Sequence, residues 1–187
     1  MSFGFIVFRD LIPLDMCRIV SDSFRMLRDH ERYHNRDTSE DTPYVIGNRF
    51  EWYSFIPCEV LLENLTPFVE EVVQQKLYPT YSFTRIYYNN NVMYPHLDTP
   101  RCEYSITASL DYKGSSWPIW IEDYTGKHHE IELKPGDALI YEGHKLKHWR
   151  TPFEGEEQIQ TFLHYVDAEG PNSKLKYDSR PYLGHGR

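Results

Sequence analysis

From residue 80 onward the chain is written as strands. "SFTRIYY", "YSITASLDY", "PIWIEDY", "HEIELK", "DALIYEG" and "QTFLHYV" are short runs of alternating, branched or aromatic residues. Turn chemistry cuts them apart at "NNN", "KGSS", "TGK" and "KPGD". Successive side chains of a strand point to opposite faces, and Gly, Asn and Pro clusters reverse the chain, so at least six strands are predicted between residues 80 and 167.

The first 79 residues read differently. "MSFGFIVF" is apolar but stops at Arg9, which predicts an N-terminal strand. It is too short to span a membrane and lacks the basic leader of a signal peptide. "IPLDMCRIVSDSFRMLRDH" carries helix-start chemistry at Pro13 and Asp15, with one apolar stripe through Met16, Ile19, Val20, Phe24 and Leu27. Residues 29–43 hold almost nothing apolar and predict a loop, either a lid or a solvated connector. A second helical zone, "PCEVLLENLTPFVEEVVQQK", offers Leu61, Leu65, Phe68, Val69, Val72 and Val73 for burial. Within it Thr66 and Pro67 read as a cap and first-turn pair that splits or kinks the helix. The segment after Asp167 reads as irregular chain or a disordered end.

Helices followed by a dense strand series predict one α+β domain over residues 1–187. A supporting layer occupies 1–79, a β core 80–167 and a tail 168–187. Fifteen Tyr in a chain that is 16% aromatic fit a β-rich core or a ligand cavity. A formal net charge of -8 gives no global basic surface for a nucleic acid. Cys17, Cys58 and Cys102, odd in number and far apart, form neither a disulfide framework nor a Cys-x-x-Cys zinc site. That usage fits a reducing compartment, so a cytoplasmic location is expected, with neither nucleic acid nor membrane as partner.

The stretch "YPHLDTPRCEYS" places His96 and Asp98 two apart. In an extended segment both turn to one face and can share a cation. A third ligand must come from a distant strand. "YEGHKLKHWRTPFEG" supplies His148, and His144 as the lesser alternative. Two imidazoles and one carboxylate on one side of a cation leave three positions open, the arrangement of non-haem Fe(II) oxygen chemistry.

With these residues in order, the chain resembles the Fe(II)- and 2-oxoglutarate-dependent oxygenases, in particular their prolyl-hydroxylase-like branch. The likeness runs through "SFTRIYYNNNVMYPHLD", "CEYSITASLDY", "ELKPGDALIYEG", "KHWRTPFEG" and "QTFLHYVD". The resemblance implies a distorted double-stranded β-helix, a cupin-like jelly roll, with the N-terminal helices packed on one sheet. It further implies that His96, Asp98 and His148 hold Fe(II), that 2-oxoglutarate and O2 are consumed, and that succinate and CO2 accompany oxidation of an unactivated C–H bond. Related halogenases carry a small residue where Asp98 stands, so the carboxylate favours a hydroxylase.

One position departs from the pattern. Relatives anchor the far carboxylate of 2-oxoglutarate with Arg or Lys about ten residues after the distal His, where this chain has Gln158. A buried carboxylate without a cation costs several kcal/mol, so another cation is expected. Arg150 shares the face of His148 and is the first choice; Arg85 is the second, with Tyr87 as a hydroxyl donor beside it; Arg101 is a third. Ser105, Thr107 and Ser109 alternate along one face, lining either a wet cavity or the solvent side of an edge strand. His164 either touches the co-substrate or is a hydrogen-bonded core residue. Cys102 and Glu103 read as a buried small residue and a surface acid, and His128 with Glu130 as part of an exposed hairpin. The tryptophans Trp117, Trp120 and Trp149 read as core packing and rim. The substrate, a small molecule or a peptide, is not encoded in any readable pattern. Competing readings are a cupin-like metalloenzyme that does not use 2-oxoglutarate and a non-catalytic jelly-roll binding module.

Overall fold

The computed structural model describes residues 3–36 and 41–184. In chain order the elements are β1 (Phe5–Phe8), α1 (Leu14–Tyr33), β2 (Val45–Ile46), β3 (Arg49–Tyr53), α2 (Ile56–Val73), β4 (Leu77–Tyr88), β5 (Val92–His96), β6 (Tyr104–Lys113), β7 (Ile119–Glu122), β8 (His128–Ile131), β9 (Ala138–Tyr141), β10 (His148–Arg150) and β11 (Glu157–Asp167). Two antiparallel sheets form a double-stranded β-helix. The larger has the order β1-β9-β6-β11-β4-β3, the smaller β2-β5-β10-β7-β8.

The alternation of each strand decides which layer its side chains join. On the outer face of the larger sheet, Ile86, Ile106, Ala108, Ile159, Leu163 and Tyr165 pack against Phe24 of α1 and Leu61, Leu62 and Val69 of α2. The inner face of the same strands carries Ser105, Thr107, Ser109, Gln158 and Gln160, all fully buried. Because β6 lies between β9 and β11, its serines and threonine face the interior and not solvent. A polar inner wall of this kind needs partners that a hydrocarbon core does not supply.

Several expectations are corrected. The helix α1 runs to Tyr33, so residues 29–33 belong to it and not to the following loop, while 37–40 lie outside the described residues. Thr66 and Pro67 do not split α2, which is continuous from Ile56 to Val73. The Thr66 hydroxyl donates to Leu62 O (2.9 Å) instead of capping a new helix, and burial of Leu61, Leu62, Val69 and Val73 outweighs the single bond that proline removes. The tail is partly tied down: Arg180 and Asp178 are buried, and Arg180 donates to Glu59 Oε2 (2.9 Å) and to Thr80 O (2.9 Å). Glu103 is no surface acid. It is 7% exposed and accepts from the Asp167 amide (2.7 Å) and Asn172 Nδ2 (2.6 Å), joining β6 to the end of β11.

A candidate metal centre and its cavity

In β5 the route from Met93 to His96 takes three residues, while the facing step on β10, from Arg150 to His148, takes two. This bulge throws Tyr94 and Pro95 outward and returns His96 to the inner face. His96 and His148 then stand opposite each other in register, with ring centroids 4.4 Å apart. Asp98 follows on the same inner side, its amide donating to Gly143 O (2.9 Å). One ligand atom from each of His96, Asp98 and His148 lies within 4.8 Å of the others.

Both imidazoles are aimed by the same device. His96 Nδ1 meets Tyr94 O (2.8 Å) and His148 Nδ1 meets Leu146 O (2.9 Å). A carbonyl can only accept, so each Nδ1 carries the proton and each Nε2 lone pair turns inward. These Nε2 atoms lie 3.8 Å and 3.6 Å from Asp98 Oδ1. A cation with bonds of about 2.1 Å at right angles wants its ligand atoms about 3 Å apart, a modest contraction from this arrangement. Burial lowers the pKa of His148 to about 4, and burial together with His148 lowers that of His96. Neutral imidazoles at physiological pH are the form that ligates. Burial raises the Asp98 carboxyl.

The donors border a cavity of about 370 Å³. Tyr44 stacks on His96 at 5.1 Å, and Tyr81, Phe83 and Phe162 form apolar wall. Tyr141 places its hydroxyl 3.5 Å from His148 Nε2. His164 is the hydrogen-bonded buried residue that was one of its two readings, its Nδ1 meeting Ser105 Oγ (2.9 Å), and it borders the cavity. Cys102 also borders it and is buried.

The expected cations separate by depth. Arg150 is 1% exposed; its Nη1 donates to Trp117 O, and its guanidinium lies over the Trp117 ring at 5.1 Å. Its Nε and Nη2 are buried with no partner, as are Gln158 Nε2, Gln160 Nε2 and Ser109 Oγ. No carboxylate faces Arg150 among the described residues. Burial lowers its pKa to about 10, which still leaves a cation at neutral pH. Arg85 borders the cavity, donates to Glu51 Oε2 (3.0 Å) and reaches the Tyr87 hydroxyl (3.2 Å). Tyr87 is fully buried, edge-on to Trp117 at 4.9 Å. Arg101 is turned away and pairs with Asp178. His144 is likewise apart, its Nδ1 on Glu103 O (3.1 Å). His128 is exposed on the β7–β8 hairpin.

These features together are those of a known architecture: the chain has the fold of the Fe(II)- and 2-oxoglutarate-dependent oxygenases, prolyl 4-hydroxylases among them. One match is a Pseudomonas putida prolyl-4-hydroxylase, at TM-score 0.68 and 14% identity over 88% of this chain and 92% of that one. Another is HygX from Streptomyces hygroscopicus with nickel and 2-oxoglutarate bound, at 0.63 and 13% over 89% and 84%. A third is the epimerase SnoN in complex with Fe3+, alpha ketoglutarate and nogalamycin RO, at 0.67 and 11% over 88% and 79%. No protein-family model and no curated protein sequence matches the chain.

Three contributors went unread in the sequence. Gly143 leaves room for Asp98, Tyr141 abuts His148, and Tyr44 covers His96. Alternation along "DALIYEG" could have put Tyr141 on a face of its strand, but nothing local marks either tyrosine's neighbour.

Proposed function

We propose that the protein is an Fe(II)- and 2-oxoglutarate-dependent oxygenase, acting as a hydroxylase on a small molecule or a peptidyl side chain. His96, Asp98 and His148 would hold the metal, and Arg150 the far carboxylate of the co-substrate. When bound, the metal and keto acid supply the activation of O2 and the oxidising power for C–H cleavage, with succinate and CO2 as co-products.

The observation that carries this reading is the buried Arg150 cation with two orphaned nitrogens, on the same strand as His148 and two residues from it. Two residues of strand span about 6.6 Å, close to the reach of a five-carbon diacid between a metal and a guanidinium. Gln158 Nε2 and Ser109 Oγ, also orphaned, are further donors on the same inner wall. An anion there satisfies several donors at once, which a neutral ligand does not. The rest of the chain's contribution is positional. Backbone carbonyls fix the imidazole tautomers, Gly143 admits the carboxylate, and aromatic walls limit water around the reacting centre.

The test is succinate release by the purified chain. It is expected to require both Fe(II) and 2-oxoglutarate and to vanish in Asp98→Ala and His148→Ala. Unchanged turnover in either variant refutes the assignment. Adding 2-oxoglutarate to the anaerobic Fe(II) protein is expected to give a visible charge-transfer band; its absence favours a cupin-type enzyme that does not use the keto acid.

A further inference from the structure

We infer that the mouth of the cavity receives a carboxylate on Arg85, and that the substrate class is a small molecule bearing one carboxylate on an apolar or aromatic body. The inference rests on the reading of His96, Asp98 and His148 as the metal site and of Arg150 as the co-substrate's anchor.

Arg85 and Arg150 are two cations of one interior with different tasks. Arg150 is buried on Trp117 and does not border the open space, while Arg85 does. Among the described residues that border the cavity, Arg85 is the sole Lys or Arg. Its surroundings hold it still: the guanidinium lies 4.6 Å from the Phe83 ring centroid and 5.8 Å from that of Phe162. Nε is engaged by Glu51 and Nη1 by Tyr87, which leaves Nη2 with no hydrogen-bond partner among the described residues. The side chain is 18% exposed and lines the cavity.

The donor count argues for a monoanion. Glu51 accepts from Arg85 and also from Arg49 Nε (2.8 Å), while Asp41 Oδ1 lies 3.7 Å from Arg49 Nη1, so two carboxylates face the two guanidinium groups and the local charge is balanced. Arg85 therefore offers a ligand one charge-assisted N–H donor, which suits a carboxylate oxygen and is a poor match for a phosphate dianion, which draws several donors. The walls specify the other end. Phe83, Phe162, Tyr44 and Leu97 face the same space, and a flat or branched apolar body fills it without burying an unpaired polar group. A neutral amide of the same shape would leave the Arg85 donor unmatched, which is how a hydrogen-bonding site rejects an isostere.

The probes are phenylacetate and phenylacetamide, titrated calorimetrically into the full chain loaded with Mn(II), with and without 2-oxoglutarate. Phenylacetate is expected to bind at least about 10-fold more tightly than the amide, the scale of one charge-assisted hydrogen bond. Arg85→Gln is expected to bring the acid down to the level of the amide, while the Kd for 2-oxoglutarate stays within about 3-fold of wild type because Arg150 is intact. Arg85→Lys, which keeps the charge, is expected to recover part of the preference, and a thermal melt of each variant checks folding. Three outcomes overturn the inference: acid and amide bind alike or not at all; Arg85→Gln still prefers the acid, so that the metal is its receptor; or Arg85→Gln weakens 2-oxoglutarate at least about 10-fold, so that Arg85 is the co-substrate's own anchor. If wild type fails to bind 2-oxoglutarate, the proposed activity fails, yet the acid and amide comparison on the Mn(II) protein still decides the role of Arg85.

Discussion

Gly143 and Asp98 are built around each other. The Asp98 amide donates to Gly143 O at 2.9 Å, and a methyl group on Gly143 would overlap Asp98 Oδ2 and lie 2.7 Å from Ser105 Oγ. The backbone thus fixes where the carboxylate's residue begins, and the missing Cβ fixes where its oxygen can go. Gly143→Ala is expected to leave the fold intact and to weaken Mn(II) binding by about 10- to 100-fold, the usual effect of disturbing a ligand's support. Calorimetric titration of the variant measures it; wild-type affinity would show that Asp98 tolerates displacement.

The turn "KPGD" has a structural meaning of its own. Gly136 takes φ +92°, and a Cβ there would come within 2.7 Å of Ile12 O. Asp137 accepts from Arg9 Nη1 (2.6 Å), the Asp10 amide (3.1 Å) and the Lys134 amide (3.0 Å), fastening the β1–α1 link to the approach of β9. Burial alone would raise the Asp137 carboxyl, but these donors outweigh it and hold it below its ordinary value. A depressed folded-state pKa contributes stability above the unfolded value near ~3.9, and that stability is lost as pH falls through the folded value. Asp137→Asn is expected to cost about 1–3 kcal/mol at pH 7. Urea titrations of the two proteins should converge as the solution is taken below the carboxylate range. A gap that persists in acid would place the effect in packing and not in charge.

The anchoring of the tail yields a stability prediction. Arg180 and Glu59 form a buried pair, with side chains 5% and 3% exposed. Glu59 also accepts from the Ser82 amide (2.6 Å), Ser82 Oγ (2.8 Å) and the Gly184 amide (2.9 Å). Removing the cation leaves a carboxylate inside the fold with only neutral donors. Arg180→Met is expected to destabilise by about 3–5 kcal/mol, near the full cost of an uncompensated buried charge. For a chain of this size that lowers Tm by roughly 6–20 °C. A shift under about 2 °C would show that the tail detaches at no cost.

How far the sequence spoke for itself depended on distance along the chain. The strands β4, β6, β7, β8, β9 and β11 were legible because alternating or branched runs bounded by turn residues are a local signal, and so was the pairing of His96 with Asp98. The strands β2 and β10, of two and three residues, were not, since so few residues carry no periodicity and form only by pairing with remote partners, and β3 and β5 have no turn clusters that bound them clearly on both sides. Thr66 and Pro67 misled because propensity is a weak prior and the packed face of α2 overrode it. The inward turn of Ser105, Thr107 and Ser109 was undecidable until β6 was seen flanked on both sides. The same limit hid Gly143, whose importance lies in a side chain 45 positions away (143 minus 98).

The position of Gln158 permits a direct exchange of anchors. Its Oε1 accepts from the Trp117 amide (3.0 Å), and Trp117 O in turn accepts from Arg150, so one residue's backbone ties the two candidate anchor positions together. Arg150→Met removes the only buried guanidinium without a carboxylate partner among the described residues and is expected to raise the Kd for 2-oxoglutarate about 10- to 150-fold, the range of a hydrogen bond to a charged group. Adding Gln158→Arg to that variant puts a cation where the resembled enzymes carry one, with the volume vacated by the shorter methionine to accept it. The double variant is expected to regain most of the lost affinity, whereas Gln158→Arg alone should bind worse than wild type, because with Arg150 in place the longer side chain takes up buried space beside it that the carboxylate would occupy. Anaerobic titration of the charge-transfer band follows all three. Equal losses in Arg150→Met and in the double variant would show that the inner wall accepts the diacid by a route independent of Arg150, and the assignment of that residue would fall.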